Sequence, residues 1–184
     1  MEFRLIYEGP LKSKGDRSEK QRIRRTIHVQ LKQLIERPPL QPFRRLVEAK
    51  HKRATIHKIE GFTFVPIIAE SLRHVVNLEV LLLTPDEPGR AVTQGGDLDN
   101  RMKTLLDALR MPKVLAELPK DDAPEPDESP FFCLLEDDKL ISGLSVTADR
   151  LLRPVAEKSH VVAIVRVTPK PTYSTIGEMQ WTSI

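Results

Sequence analysis

Hydrophobic and polar positions change their period several times along this chain, and each change marks an expected element. Residues 2–7, EFRLIY, alternate in the manner of a strand. GPLKSKGDRS (9–18) breaks the pattern with Gly and Pro and reads as a basic loop. From Ser18, taken as a helix cap, the next stretch sets Ile23, Ile27, Leu31, Leu34 and Ile35 at helical spacing. Arg17, Lys20, Arg24, His28 and Lys32 fall mostly off that stripe, on the face expected to point outward. RPPLQP (37–42) stops this helix, because proline lacks the amide donor and clashes with the preceding turn.

IEGFTFVPIIA (59–69) and HVVNLEVLLLT (74–84) read as strands, with Pro66 marking an edge or a bulge. After the turn-rich PDEPGRAVTQGG comes the clearest helix, striped by Leu98, Met102, Leu105, Leu106 and Leu109 and closed by Pro112. Residues 111–130 are acidic and proline-rich. Their second half, KDDAPEPDESP, reads as a mobile loop that buries little. KLISGLSVTADRLL (139–152) and HVVAIVRVT (160–168) are expected to form a two-strand hairpin. The tail beyond, carrying Trp181, has no period and reads as a segment that docks on the domain or on a partner. The order is strand, basic helix, two strands, helix, two strands. That order predicts an α+β fold: one domain over residues 1–184, with helices packed on a mixed, mostly antiparallel sheet.

Composition narrows the picture. With 184 residues and 40% hydrophobic content the chain can build a core. Its longest apolar run, VVNLEVLLL (75–83), has strand length rather than membrane-spanning length. The start, MEFRLIYEGP, lacks the features of a signal peptide. The single cysteine, Cys133, excludes an intramolecular disulfide and a cysteine-rich zinc site, so a cytoplasmic protein is expected. Cys133 itself reads as buried and inert, and Phe131 and Phe132 as core anchors. His28, His51, His57, His74 and His160 are scattered without metal spacing and read as surface or strand residues.

Charge adds an asymmetry that the net +3 conceals. Residues 1–58 hold 16 Lys/Arg against 6 Asp/Glu, and acids dominate the remainder. A basic block of that density suits a polyanion, with nucleic acid the commonest. Lys12, Lys14, Arg17, Lys20, Arg24 and Arg25 are the phosphate contacts chosen by charge and location.

The chemistry concentrates in GGDLDNRMK (95–103) and LEDDK (135–139). Asp97 and Asp99 stand before and at the start of the leucine-striped helix, with Asp99 a plausible cap, and on extended backbone both side chains would face one point. Lys103 follows one turn later. Taken alone, this is also an ordinary capped helix with an Asp99–Lys103–Asp107 charge ladder. If the second acidic knot packs beside the helix start, carboxylates converge, and convergence without basic partners requires protons or a cation. Oxygen-only ligands select Mg²⁺ or Mn²⁺, and a neighbouring lysine completes a phosphodiesterase site.

DLDNRMKTLLDAL (97–109), followed by LEDDKLI (135–141), resembles the RusA family of Holliday-junction resolvases, with the match running over about residues 74–168. The resemblance implies metal-binding carboxylates at Asp97, Asp99 and Asp138, with Asp137 a possible substitute, and a catalytic lysine at Lys103. It further implies a homodimeric Mg²⁺- or Mn²⁺-dependent endonuclease that cuts four-way DNA junctions in recombination and repair. Two rivals remain: a metal-dependent nuclease without junction preference, and a non-catalytic DNA-binding module that kept the fold.

Overall fold

The computed structural model describes residues 1–38, 40–46, 55–85 and 97–172. Strand β1 spans Phe3–Pro10, helix α1 Arg17–Ile35, β2 His57–Ile59, β3 Phe62–Ile68 and β4 His74–Thr84. Helix α2 spans Asp97–Leu109, β5 Phe131–Leu135, β6 Ile141–Arg150 and β7 His160–Pro171, with short 3₁₀ turns between several of them. The strands form two sheets, one in the order β1-β7-β4-β6 and one in the order β2-β3-β5. Pairs β1/β7, β4/β7 and β2/β3 are antiparallel, while β4/β6 and β3/β5 are parallel. The α+β class and the mostly antiparallel pairing follow the sequence expectation, although the strands divide between two sheets.

Alternation sets which face of the larger sheet is covered. Phe3, Leu5 and Tyr7 of β1, Val76, Leu78, Val80 and Leu82 of β4, and Val161, Ala163, Val165 and Val167 of β7 are buried. They share one core with Ile23, Ile27, Leu31 and Ile35 of α1 and Met102, Leu105, Ala108 and Leu109 of α2. The smaller sheet sends Val65, Ile67, Phe132 and Leu134 into the same core. On its other face Phe62, Phe64, Phe131 and Cys133 close around Met111 and Leu118, which lie just beyond α2.

Several local expectations are corrected. The cap of α1 is Asp16, whose Oδ1 accepts the Glu19 amide at 2.8 Å, two residues before Ser18. Glu19 turns back to accept the Lys12 amide at 2.6 Å, so loop and helix start lock each other. β6 and β7 are not a hairpin, because β4 lies between them and the connector passes its end, where the Leu151 amide donates to the Thr84 carbonyl at 2.7 Å. β5 is a strand that periodicity missed: FFCLL is buried at every position, so it shows no alternation. Pro66 sits in the middle strand of its sheet, yet on one side it pairs with no strand among the described residues. β2 pairs only as far as Phe64, and the Pro66 carbonyl on that side accepts Thr55 Oγ1 at 3.3 Å.

The acidic segment after α2 is docked rather than loose. Arg25 Nε donates to Glu128 Oε1 at 2.8 Å, and Arg25 Nη2 lies 3.0 Å from Asp122 Oδ1. Lys32 Nζ lies 3.5 Å from Asp127 Oδ2, and both Glu128 and Leu118 are buried. The physical reason is charge: an acidic run with too little apolar content to fold alone lies along the basic helix instead. Trp181 and His51 fall outside the described residues.

Candidate active site

The two acidic stretches meet on one cleft of about 320 Å³. Its lining is Leu98, Asp99, Met102, Lys103, Leu106 and Asp107 of α2, with Asp138, Leu144 and Val146 opposite. Helix geometry arranges the α2 side. Residues four apart stack along one face, so Leu98, Met102 and Leu106 form one row and Asp99, Lys103 and Asp107 the row beside it. The ladder expected along the charged row does not form, because Asp107 pairs with Lys20 and Arg110 instead, but the row borders the cleft.

The far end of α2 is fixed first. The Met111 amide donates to the Leu135 carbonyl at 2.8 Å, and Arg110 bridges to Leu135. β5 therefore ends beside the C-terminus of α2, and the acidic knot that follows is delivered to the cleft. Its three members part company there. Glu136 turns away, with Oε2 accepting the Glu70 amide at 2.7 Å and Oε1 lying 3.3 Å from His57 Nε2. Asp137 caps the 3₁₀ turn Asp138–Leu140 by accepting the Lys139 amide at 3.0 Å, and pairs with Lys113 Nζ at 2.7 Å. The Lys113 ammonium, with the Lys139 amide, holds its carboxyl well below the usual carboxylate range. Asp138, exposed, is the one member of the knot that lines the cleft.

Asp99 lies in the first turn of α2, where the unpaired amides and the dipole favour a carboxylate. It is not the cap, because the helix already runs from Asp97. For the same reason the backbone from Asp97 to Asp99 is helical rather than extended, and the convergence expected of an extended pair does not apply. The side chain of Asp97 lies outside the described residues. Among the described residues, no three Asp, Glu, His or Cys side chains come together as a metal-holding group. Among the described residues, the side-chain oxygens lining the cleft are those of carboxylates, a set that fits a hard cation in kind.

Asp107, expected only as a rung of the charge ladder, lines the cleft as well. It is held by Lys20, whose Nζ lies 2.6 Å from its Oδ2, and by Arg110 at 3.7 Å. Its signal in the sequence was position, two turns after Asp99 on the same face.

The proposed phosphate contacts separate into two groups. Lys12, Lys14 and Arg17 are exposed, on the loop before α1 and on its first residue. That loop rests on α2, with the Gly15 amide donating to Thr104 Oγ1 at 3.3 Å. Lys20, Arg24 and Arg25 are committed inside the molecule. Arg24 is 2% exposed, donating from Nη2 to the Asp107 carbonyl at 2.9 Å and from Nε to the Arg110 carbonyl at 3.1 Å. It therefore caps the C-terminus of α2, where a cation is favoured, and is corrected from a DNA contact to a structural residue. Arg25 is clamped by Glu128 and Asp122, and Glu128 holds its guanidinium above its ordinary value.

His28, expected at the surface, is buried too. Its Nδ1 accepts the Phe132 amide at 2.8 Å and its ring stacks on Phe131 at 4.5 Å. Burial pushes its pKa down, so it is a neutral core residue. Phe131 and Phe132 are the core anchors expected, and burial raises the Cys133 thiol to about 12, leaving it unreactive.

No helix among the described residues is long and apolar enough to cross a membrane. Compared with protein-family profiles, curated proteins and solved structures, the chain matches none.

Proposed function

We propose that this protein is a metal-dependent endonuclease that hydrolyses phosphodiester bonds of branched DNA, acting in the cytoplasm as a homodimer on four-way junctions. The observation that carries the reading is the meeting of Asp99, Lys103 and Asp138 on one cleft, from two segments far apart in the chain. The exposed Lys12, Lys14 and Arg17 support it, because their loop rests on the helix that carries Lys103. Junction preference and dimerisation rest on the resemblance to the RusA family.

In this reading Asp97, Asp99 and Asp138 hold Mg²⁺ or Mn²⁺, which supplies Lewis-acid activation of water and charge neutralisation. The chain's own groups do the remainder. Lys103, exposed one turn above Asp99, faces the phosphate and stabilises the leaving oxygen electrostatically or by proton donation. Asp137, held by Lys113 and the 3₁₀ turn, hydrogen-bonds Asp138 and positions it at the cleft. Lys20 pairs with Asp107 and orients it at the cleft's edge.

The test is strand cleavage of a synthetic four-way junction beside matched duplex and flap DNA, in Mg²⁺, Mn²⁺ or EDTA, with wild type and Asp99→Asn. Expected are metal-dependent nicks confined to the junction, reduced by about a hundredfold or more in the variant. Cutting of every substrate would leave the nuclease and remove the junction preference. Binding without cutting in any metal would reduce the protein to a DNA-binding module.

A further inference from the structure

The cleft is only half a phosphate site. Beside the charged row of α2 runs the apolar row Leu98, Met102 and Leu106, and Leu144 and Val146 of β6 close that side. Met102 is buried, but Leu98, Leu106 and Val146 are only partly covered, and Leu144 is 46% exposed. Residues 144 and 146 share a face because strand side chains alternate, so β6 turns an aliphatic strip toward the helix. A phosphodiester gains nothing from such a wall. A nucleotide, by contrast, carries one charged end and one flat apolar end.

We propose that this wall seats an unstacked nucleobase next to the phosphate held by Lys103, so the site takes DNA whose base at the point of cutting is free of the duplex stack. The inference rests on the nuclease reading and names its substrate class. Charge complementarity decides the occupant: an ammonium and carboxylates suited to a cation-bridged phosphate lie one helical row from the aliphatic strip. A volume of about 320 Å³ is at the small end for a ligand site and suits one nucleotide rather than a duplex. A paired base reaches the wall only after unpairing and unstacking, which is costly, whereas a base at a branch or flap is unpaired and only its residual stacking has to be given up. Leu144 and Val146 thereby become specificity residues, selecting branched over continuous DNA by what the wall can receive.

The experiment uses the full chain with Ca²⁺ in place of Mg²⁺, so that the cation bridge is kept while binding is read with little cutting, and a flap or four-way junction carrying 2-aminopurine at the branch nucleotide. Wild type should raise the emission about threefold on saturation, whereas the probe inside a duplex should stay quenched. An abasic residue at the same position should weaken wild-type binding about tenfold. Leu144→Gln should bind both DNAs equally and leave the probe dark, and its exposed position leaves the fold intact, as thermal unfolding will verify. Equal wild-type affinity for base and abasic DNA overturns the base-seating wall, and if Asp99-dependent cleavage persists the nuclease reading stands without it. Base-dependent emission with no cleavage in any metal sinks the nuclease reading and supports the wall alone. A wall already covered by a second copy or by another part of the chain shows no base-dependent emission, and that result counts against the proposal.

Discussion

At the scale of single residues, charge on a helix does not reveal its direction. Arg24 sits between Ile23 and Arg25 in a basic helix and looks like one more surface cation, but α1 is buried on two sides. One side faces the larger sheet, and the other faces α2 and β5. Arg24 lies on the second side, where two carbonyls at the end of α2 need a donor. Replacing it with Met keeps much of the volume and removes the donors, leaving those carbonyls unpaired. The expected loss is about 2–4 kcal/mol in urea unfolding. The salt dependence of DNA binding should not move, and a changed slope would return Arg24 to the interface. Asp137 and Asp138 teach a similar lesson. Two adjacent aspartates are indistinguishable in a sequence, and only the 3₁₀ turn that Asp137 caps sends one to Lys113 and the other to the cleft.

At the scale of elements, what could be read was whatever repeats locally. β4 has the bounds its periodicity indicated, and α2 keeps its expected apolar stripe but begins at Asp97, before the cap expected at Asp99. What could not be read was pairing across the chain: β6 and β7 look like neighbours, and only the long-range placement of β4 separates them. The contact between the basic loop and α2 belongs to the same class. An added Cβ at Gly15 would lie 2.3 Å from Cγ2 of the buried Thr104. Gly15→Ala should therefore push the loop off α2, destabilising the protein by about 1–3 kcal/mol and weakening DNA binding through Lys12, Lys14 and Arg17. Adding Thr104→Ser removes the clashing methyl and keeps the hydroxyl. If the double variant recovers neither stability nor binding, the packing argument is wrong.

At the scale of the whole molecule, the basic block visible in the sequence is not the basic surface of the fold. Arg25 and Lys32 are answered by Asp122, Asp127 and Glu128, Lys20 by Asp107, and Arg24 by backbone carbonyls. Counting charges along the chain could not show this, because the answering acids lie about a hundred residues away. What remains for a polyanion near α2 is the cluster Lys12, Lys14 and Arg17, exposed and without an acid partner among the described residues, together with Lys103. Each phosphate contact releases condensed counterions, so it adds about 0.9 to the slope of log affinity against log salt on duplex DNA, and a little less on single strands. A cation already paired to a carboxylate releases fewer, since the protein has neutralised it beforehand. Changing Lys12, Lys14 or Arg17 to Gln should each flatten the slope by close to one contact, with little effect on stability. Arg25→Gln should leave the slope nearly unchanged while costing stability, because it strands the buried Glu128 without its partner. Anisotropy titrations of a junction between 50 and 300 mM salt (roughly the range over which such slopes are resolved) separate the two classes. If Arg25→Gln flattens the slope and the loop variants do not, the DNA track follows the α1 face now covered by the acidic segment. That segment would then have to lift for DNA to bind.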